Sequence, residues 1–310
     1  MRLVTFQEKN SKASRIGLHT GPLGQGTVID FSQSGATDMV DLIRSWETLK
    51  PLAEKALRAG GGVPEASVRL LAPIPRPASM RDGYAFRQHV EAARRNRGVP
   101  MIPEFDHFPV YYYTNHLAVV GPGELPVESR LLNRLDFELE AAIVTGKGGR
   151  NIPAARADEH IFGYMVMNDW SARHEQMEEM KLNLGPAKGK DFATGLGPYL
   201  VTRDELSPHA VPGPNGERHD LRMRAWVNGK QVSDGNLKDM SWTFAQIIER
   251  ASYGVTLQPG EVIGSGTVGT GCFLELNGSK ITDNQWLKAG DEVVMEIDGL
   301  GRLVNTVREA

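Results

Sequence analysis

Short apolar runs, cut by glycine and proline, dominate the chain. Arg15-Ile16-Gly17-Leu18 and Gly26-Thr27-Val28-Ile29-Asp30 predict strands separated by Gly-Pro turns. Between 38 and 57 the period changes. Met39, Val40, Leu42, Ile43, Trp46 and Leu49 recur at helical spacing, and Gly60-Gly61-Gly62 ends that helix because three glycines leave the backbone too free. Prolines 73, 75 and 77 in Leu70-Leu71-Ala72-Pro73-Ile74-Pro75-Arg76-Pro77 fix φ and remove amide donors, which predicts an extended connection. A small β-rich N-terminal domain over 1–75 and a larger domain over 76–310 are expected.

Beyond the connection the pattern predicts a short helix over 79–95. Strands are predicted over 110–113, 137–144, 162–167, 221–227, 261–264, 272–276 and 291–297. Asn228-Gly229, between Trp226-Val227 and Gln231-Val232, signals a two-residue hairpin. One later helix is expected over 242–252. Many strands with few helices indicate a mostly-β, α+β architecture rather than a regular βαβ array.

Composition acts mainly by exclusion. The 310 residues are 40% hydrophobic and 24% charged, as in an ordinary globular protein. A net charge of −3 gives no general attraction for nucleic acid. No apolar run approaches the roughly 20 residues that span a bilayer, and the N-terminus has no signal-peptide core. The single cysteine, Cys272, excludes an intrachain disulfide, sets the expectation that no thiolate zinc site is built within one chain, and points to the reducing cytoplasm.

Four groups of residues could carry chemistry. In Asp136-Phe137-Glu138-Leu139-Glu140, strand alternation puts Glu138 and Glu140 on one face. That face is either solvated or, with a hard cation such as Mg²⁺, a binding site. Asp169 follows the apolar run Tyr164–Met167 and is either a helix cap for the polar segment after it or a third acid at a strand end. Asp82 and His89 are seven apart, two helical turns, and Ser79 with Asp82 fits a capping pattern. Arg173 and Gln176 stand at i, i+3, and Lys190 lies between Gly189 and Asp191-Phe192, a setting for a fixed cationic donor. Gly264-Ser265-Gly266-Thr267-Val268-Gly269 fits G-x-G-x-x-G, but strand-like residues follow it. It is read as a loop that allows close backbone approach, not as a nucleotide fingerprint.

Taken together, Asp136–Glu140, Asn168-Asp169-Trp170-Ser171-Ala172-Arg173 with Gln176, and Gly189-Lys190-Asp191-Phe192 resemble the fumarylacetoacetate hydrolase family in order along the chain. The resemblance covers Arg81 to about Asp298 and looks most like bacterial members. It implies a mixed β-roll catalytic domain and a homodimer. It also implies metal-binding carboxylates at Asp82, Glu138, Glu140 and Asp169, with Thr194 beside the metal. His89 matches the histidine that activates water, and Glu275 the carboxylate that orients it. Arg173, Gln176 and Lys190 match groups around the developing oxyanion. Tyr84, Arg97, Tyr112 and Thr267 match substrate contacts. The chain departs at Met180, where the animal enzyme has a tyrosine, and the segment between Gln176 and Lys190 is one residue shorter.

The expected activity is hydrolytic cleavage of a carbon–carbon bond in a 1,3-dicarbonyl organic acid, with Mg²⁺ as cofactor and Mn²⁺ or Ca²⁺ as substitutes. A metal-dependent isomerase, hydratase or decarboxylase of an oxo-acid is the alternative on the same fold. A non-catalytic small-acid binding protein is the alternative from another class, and a nucleotide-binding oxidoreductase is the weakest reading.

Overall fold

The computed structural model describes residues 1–310. Its apolar runs join into one long sheet. The path runs from Val63–Pro64 through Thr27–Asp30, Arg15–Thr20 and Arg2–Glu8 into Leu200–Thr202, Ile161–Asp169, Leu139–Thr145, Val262–Gly264, Met80–Gly83 and Tyr111–Tyr113. Sheet hydrogen bonds therefore cross the proline-rich connection, with Arg2 opposite Val201 and Leu3 opposite Leu200. A second sheet orders Lys230–Asn236, Arg222–Val227, Glu292–Ile297, Gly301–Glu309 and Gly123–Val127. The architecture is mixed α+β.

Strand alternation divides the core. Leu139, Ala141 and Ile143 pack in one cluster with Met223, Ala225, Val293 and Met295 of the second sheet. Ala142 and Val144 face the other way, in a cluster with Met39, Leu42, Ile43 and Leu49 from the N-terminal helices. A strand covered on both faces reads as a continuous apolar run, as this one does.

Several elements differ from the sequence pattern. The helix expected over 38–57 is two helices, Met39–Arg44 and Trp46–Ala59, broken at Ser45, and Asp38 caps the first by accepting from the Asp41 amide. The expected helix over 79–95 is the strand Met80–Gly83 followed by the helix Arg87–Asn96. Parallel pairing of Met80, Arg81 and Asp82 with Val262, Ile263 and Gly264 overrides local propensity there. Asp82 and His89 therefore do not share a helix face, and Ser79 donates to Glu261 instead of capping a helix. The strand expected over 137–144 is interrupted, giving Leu135–Asp136 and Leu139–Thr145. The strand expected over 272–276 is the helix Phe273–Gly278. The hairpin at Asn228-Gly229 forms with both residues at positive φ, 51° and 76°. The late helix is Phe244–Ser252, opened by a Thr243–Gln246 capping box.

Candidate active site

Three acids reach one point because their strands alternate in phase. Asp82 shares the face of Met80, Glu140 that of Ala142 and Val144, and Asp169 that of Met165 and Met167, and all those apolar neighbours belong to one cluster. Gly264 lies between these strands, opposite Asp82 on one side and Ala142 on the other. A Cβ there would stand 2.3 Å from Asp82 Oδ1 and 2.8 Å from the Met167 sulfur, so only glycine lets the carboxylates converge. Glu138 sits in the strand break. Its amide donates to Asn168 Oδ1 at 3.0 Å, and its carbonyl accepts from the Asp169 amide at 3.3 Å. Oxygen atoms of Asp82, Glu138, Glu140 and Asp169 all lie within 4.8 Å of one another. The four residues are buried, which excludes the solvated-face reading of the two glutamates. Asp169 ends a strand and caps no helix.

Two buried cations lean on this cluster. Lys190 Nζ donates to Glu138 Oε2 at 2.5 Å and to Asp169 Oδ2 at 2.6 Å. Arg173 donates to Glu138 Oε1 at 2.7 Å, to Asp136 Oδ2 at 2.8 Å and to Gln176 Oε1 at 3.0 Å. Burial opposes ionisation of Glu138, but Lys190 and Arg173 hold its carboxyl well below the usual range. Glu140 has no such partner. Burial, then the neighbouring Asp82, pushes it well above the usual range, and burial with the Asp169 charge pushes Asp82 up to about 8. Asp169 Oδ1 and Thr194 Oγ1 are buried and make no hydrogen bond, and Thr194 is the register partner of Asp169. Crowded acids with raised affinity for protons, an orphan carboxylate oxygen and oxygen-only donors fit a hard divalent cation.

The other predicted residues gather around this point. His89 Nδ1 lies 2.6 Å from Glu275 Oε2, and Glu275 Oε1 accepts from the Thr270 amide at 2.9 Å. Tyr84 stands edge-on to His89 with ring centroids 5.8 Å apart. Tyr112 donates to Asp169 Oδ2 at 2.7 Å. Thr267 donates to Glu140 Oε1 at 3.3 Å, and the Gly266 amide to both Asp82 Oδ1 and Glu140 Oε2 at 3.1 Å. The glycine loop thus brings backbone against carboxylates. A helix does follow it, contrary to the sequence pattern, but its first amides, from Phe273 and Leu274, already donate to Asp136 and are not free for a phosphate. A cavity of about 680 Å³ opens from the cluster and is lined by Tyr84, His89, Tyr112, Lys190 and Thr267. Arg97 is exposed at its rim beside Arg94, and Met180 lines it too. Sequence reasoning missed Asp136 as an organiser and Asn168 as the ligand of the Glu138 amide. Each stands next to or within a motif, but their partners are 30 or more positions away.

Comparison with known proteins gives the chain's family. A family model described as fumarylacetoacetate hydrolase, C-terminal, matches residues 78–308. The mitochondrial oxaloacetate tautomerase of Rattus norvegicus is 33% identical over 318 residues, covering 99% of this chain and 91% of that protein. The fumarylacetoacetase of Bos taurus is 33% identical over 269 residues, covering 69% of this chain and 64% of that protein. The solved fumarylacetoacetate hydrolase of Exiguobacterium antarcticum superposes with a TM-score of 0.71 at 25% identity, with both chains fully covered. No helix of this chain is long and apolar enough to cross a membrane. The chain belongs to the fumarylacetoacetate hydrolase family, an enzyme family with hydrolase and tautomerase members.

Proposed function

We propose that this enzyme hydrolyses a carbon–carbon bond in a 1,3-dicarbonyl organic acid of the fumarylacetoacetate, fumarylpyruvate or acylpyruvate type. The contact between His89 Nδ1 and Glu275 Oε2, at 2.6 Å beside the carboxylate cluster, carries the reading. A carboxylate on one ring nitrogen fixes the imidazole and stabilises it once protonated. His89 then takes a proton from water as general base. The water oxygen bonds to the acyl carbon, and Lys190, Arg173 and Gln176 hydrogen-bond the oxygen that gains charge. The carbon–carbon bond breaks with its electron pair on the leaving fragment, and His89 returns the proton there.

Asp82, Glu138, Glu140 and Asp169 would hold the cation, and Mg²⁺ suits their oxygens best, with Mn²⁺ or Ca²⁺ as substitutes. When bound, such an ion supplies Lewis-acid stabilisation of negative charge on the dicarbonyl oxygens. Tyr84, Arg97, Tyr112 and Thr267 would orient the substrate.

A second reading is favoured by the identity to an oxaloacetate tautomerase along nearly the whole chain. In it, His89 moves a proton at carbon and no water attacks. The cavity of about 680 Å³ is larger than a four-carbon acid needs, which supports the first reading. The test is a panel of acylpyruvates, fumarylpyruvate, fumarylacetoacetate and enol-oxaloacetate, with products identified by mass. Release of two acids supports hydrolysis. Turnover of enol-oxaloacetate alone, without cleavage of any diketo acid, overturns it.

We also propose a homodimer. Leu182 and Leu184, 80% and 79% exposed near the cavity, are large apolar groups of the kind that partner surfaces cover. Light scattering should give twice 34.0 kDa, and a strict monomer at micromolar concentration contradicts it.

A further inference from the structure

Beside the carboxylate cluster lies a second group of metal-ligating side chains with different donors. A His89 nitrogen, a Glu138 oxygen and the Cys272 sulfur all lie within 4.8 Å of one another, and the three residues are buried. Nitrogen, sulfur and one oxygen form a set for zinc-class ions, whereas four carboxylates suit magnesium.

Two contacts prepare this set. Glu275 engages His89 Nδ1 and leaves Nε2 as the free nitrogen. Zinc-bound histidines carry the same outer carboxylate, which fixes the ring and strengthens the ligand. Cys272 caps the helix that carries Glu275, with its sulfur accepting from the Glu275 amide at 3.5 Å. Thiol and imidazole are thus positioned by one short helix. In a tetrahedral zinc site, bond lengths of about 2.0–2.3 Å place donor atoms about 3.5 Å apart. Side-chain shifts of roughly an ångström would close the set.

We infer that His89, Cys272 and Glu138 bind a zinc-class ion at a second, inhibitory site that adjoins the four-carboxylate site and shares Glu138 with it. Binding forms a zinc–sulfur bond and releases the thiol proton to solvent. Lys190 and Arg173 already stand on Glu138, so the incoming ion meets two cations there. Imidazole and thiolate must then supply most of the affinity, which makes Cys272 the decisive ligand. The inhibitory consequence rests on the proposed role of His89, whereas the binding does not.

Metal-free protein is titrated with Cd²⁺ and read by ultraviolet difference absorption. A sulfur-to-cadmium charge-transfer band should saturate at one equivalent and disappear on adding Zn²⁺. The C272S variant keeps an oxygen that can cap the helix. It should lose the band and bind Zn²⁺ at least about tenfold more weakly. Its Mn²⁺ uptake at the carboxylates, read by electron paramagnetic resonance, should not change. Zn²⁺ should inhibit the Mg²⁺-loaded wild type, and C272S should need about tenfold more. No band in the wild type, or unchanged zinc affinity in C272S, overturns the site. Equal zinc sensitivity of turnover overturns the inhibition. The band is read without substrate, so it stands or falls independently of the hydrolase reading.

Discussion

Asp136 and Arg173 form a fully buried strut, with the Arg173 Nε donating to Asp136 Oδ2 at 2.8 Å. The same carboxylate accepts the amides of Phe273 and Leu274 at 2.8 and 3.0 Å. One side chain therefore links the arginine at the cavity floor to the helix that carries Glu275. Removing one partner of a buried ion pair costs about 3–5 kcal/mol because a charge is left uncompensated. Arg173 keeps Glu138 as a partner at 2.7 Å, so Asp136→Ala should lose about 3 kcal/mol, the lower end of that range, in urea unfolding. Asp136→Asn, which keeps one of the two oxygens that accept the Phe273 and Leu274 amides, should lose less. Equal stability of Asp136→Ala and wild type would contradict the strut.

His89→Ala should lower hydrolysis by about 10² to 10⁴, the usual worth of a positioned base, while metal binding survives. Glu275→Gln should act in the same direction. The double variant should be little worse than His89→Ala, because residues that act as one unit are not additive. Steady-state kinetics with calorimetric metal titration measures this. Near-normal turnover by His89→Ala would move the tautomerase reading ahead.

Glu140 is buried among three other carboxylates and, unlike Glu138, has no cationic partner. A neutral amide there removes charge crowding. Glu140→Gln should not lower the Tm of metal-free protein, and should abolish the rise in Tm that Mg²⁺ or Mn²⁺ gives the wild type, since a ligand stabilises only the state that binds it. Thermal scans with and without chelator check both parts. A variant with a full metal-induced rise would remove Glu140 from the ligand set.

His219 is buried against Tyr164, with ring centroids 4.7 Å apart and Nε2 without a partner. Burial holds its imidazole down to about 4. The unfolded chain takes up this proton near the ordinary value of about 6.5. Between those values the unfolded state binds more protons. The contribution of His219 is thus fully present above pH ~6.5 and is lost toward pH ~4, at up to about 1.4 kcal/mol per pH unit. Urea unfolding between pH 7 and 4.5 should show a flatter acid limb for His219→Gln than for wild type. Parallel limbs would exclude this histidine as a source of acid sensitivity.

The acids were legible because they stand in ordered clusters, and strand alternation already aligned Glu140 with an apolar partner face. What was not legible had distant causes. Met80–Gly83 reads as helix locally and is a strand because Val262–Gly264 pairs with it about 180 positions later. Cys272–Leu276 has strand-like composition, yet Asp136 supplies the two amide acceptors that a helix start needs. Glu138 leaves the strand because Asn168, on the neighbouring strand, takes its amide. In each case a partner remote in sequence outweighs local preference.

The pairing of Arg2 and Leu3 with Val201 and Leu200 has a practical consequence. A fragment cut at the prolines would uncover the flank of Leu200–Thr202 and strip Val144, Met165 and Met167 of the side chains that cover them. An open strand flank beside bare apolar surface recruits other chains. The first 75 residues therefore act as a permanent guard on the sheet that carries the carboxylates, and expression of the catalytic region alone should yield aggregate.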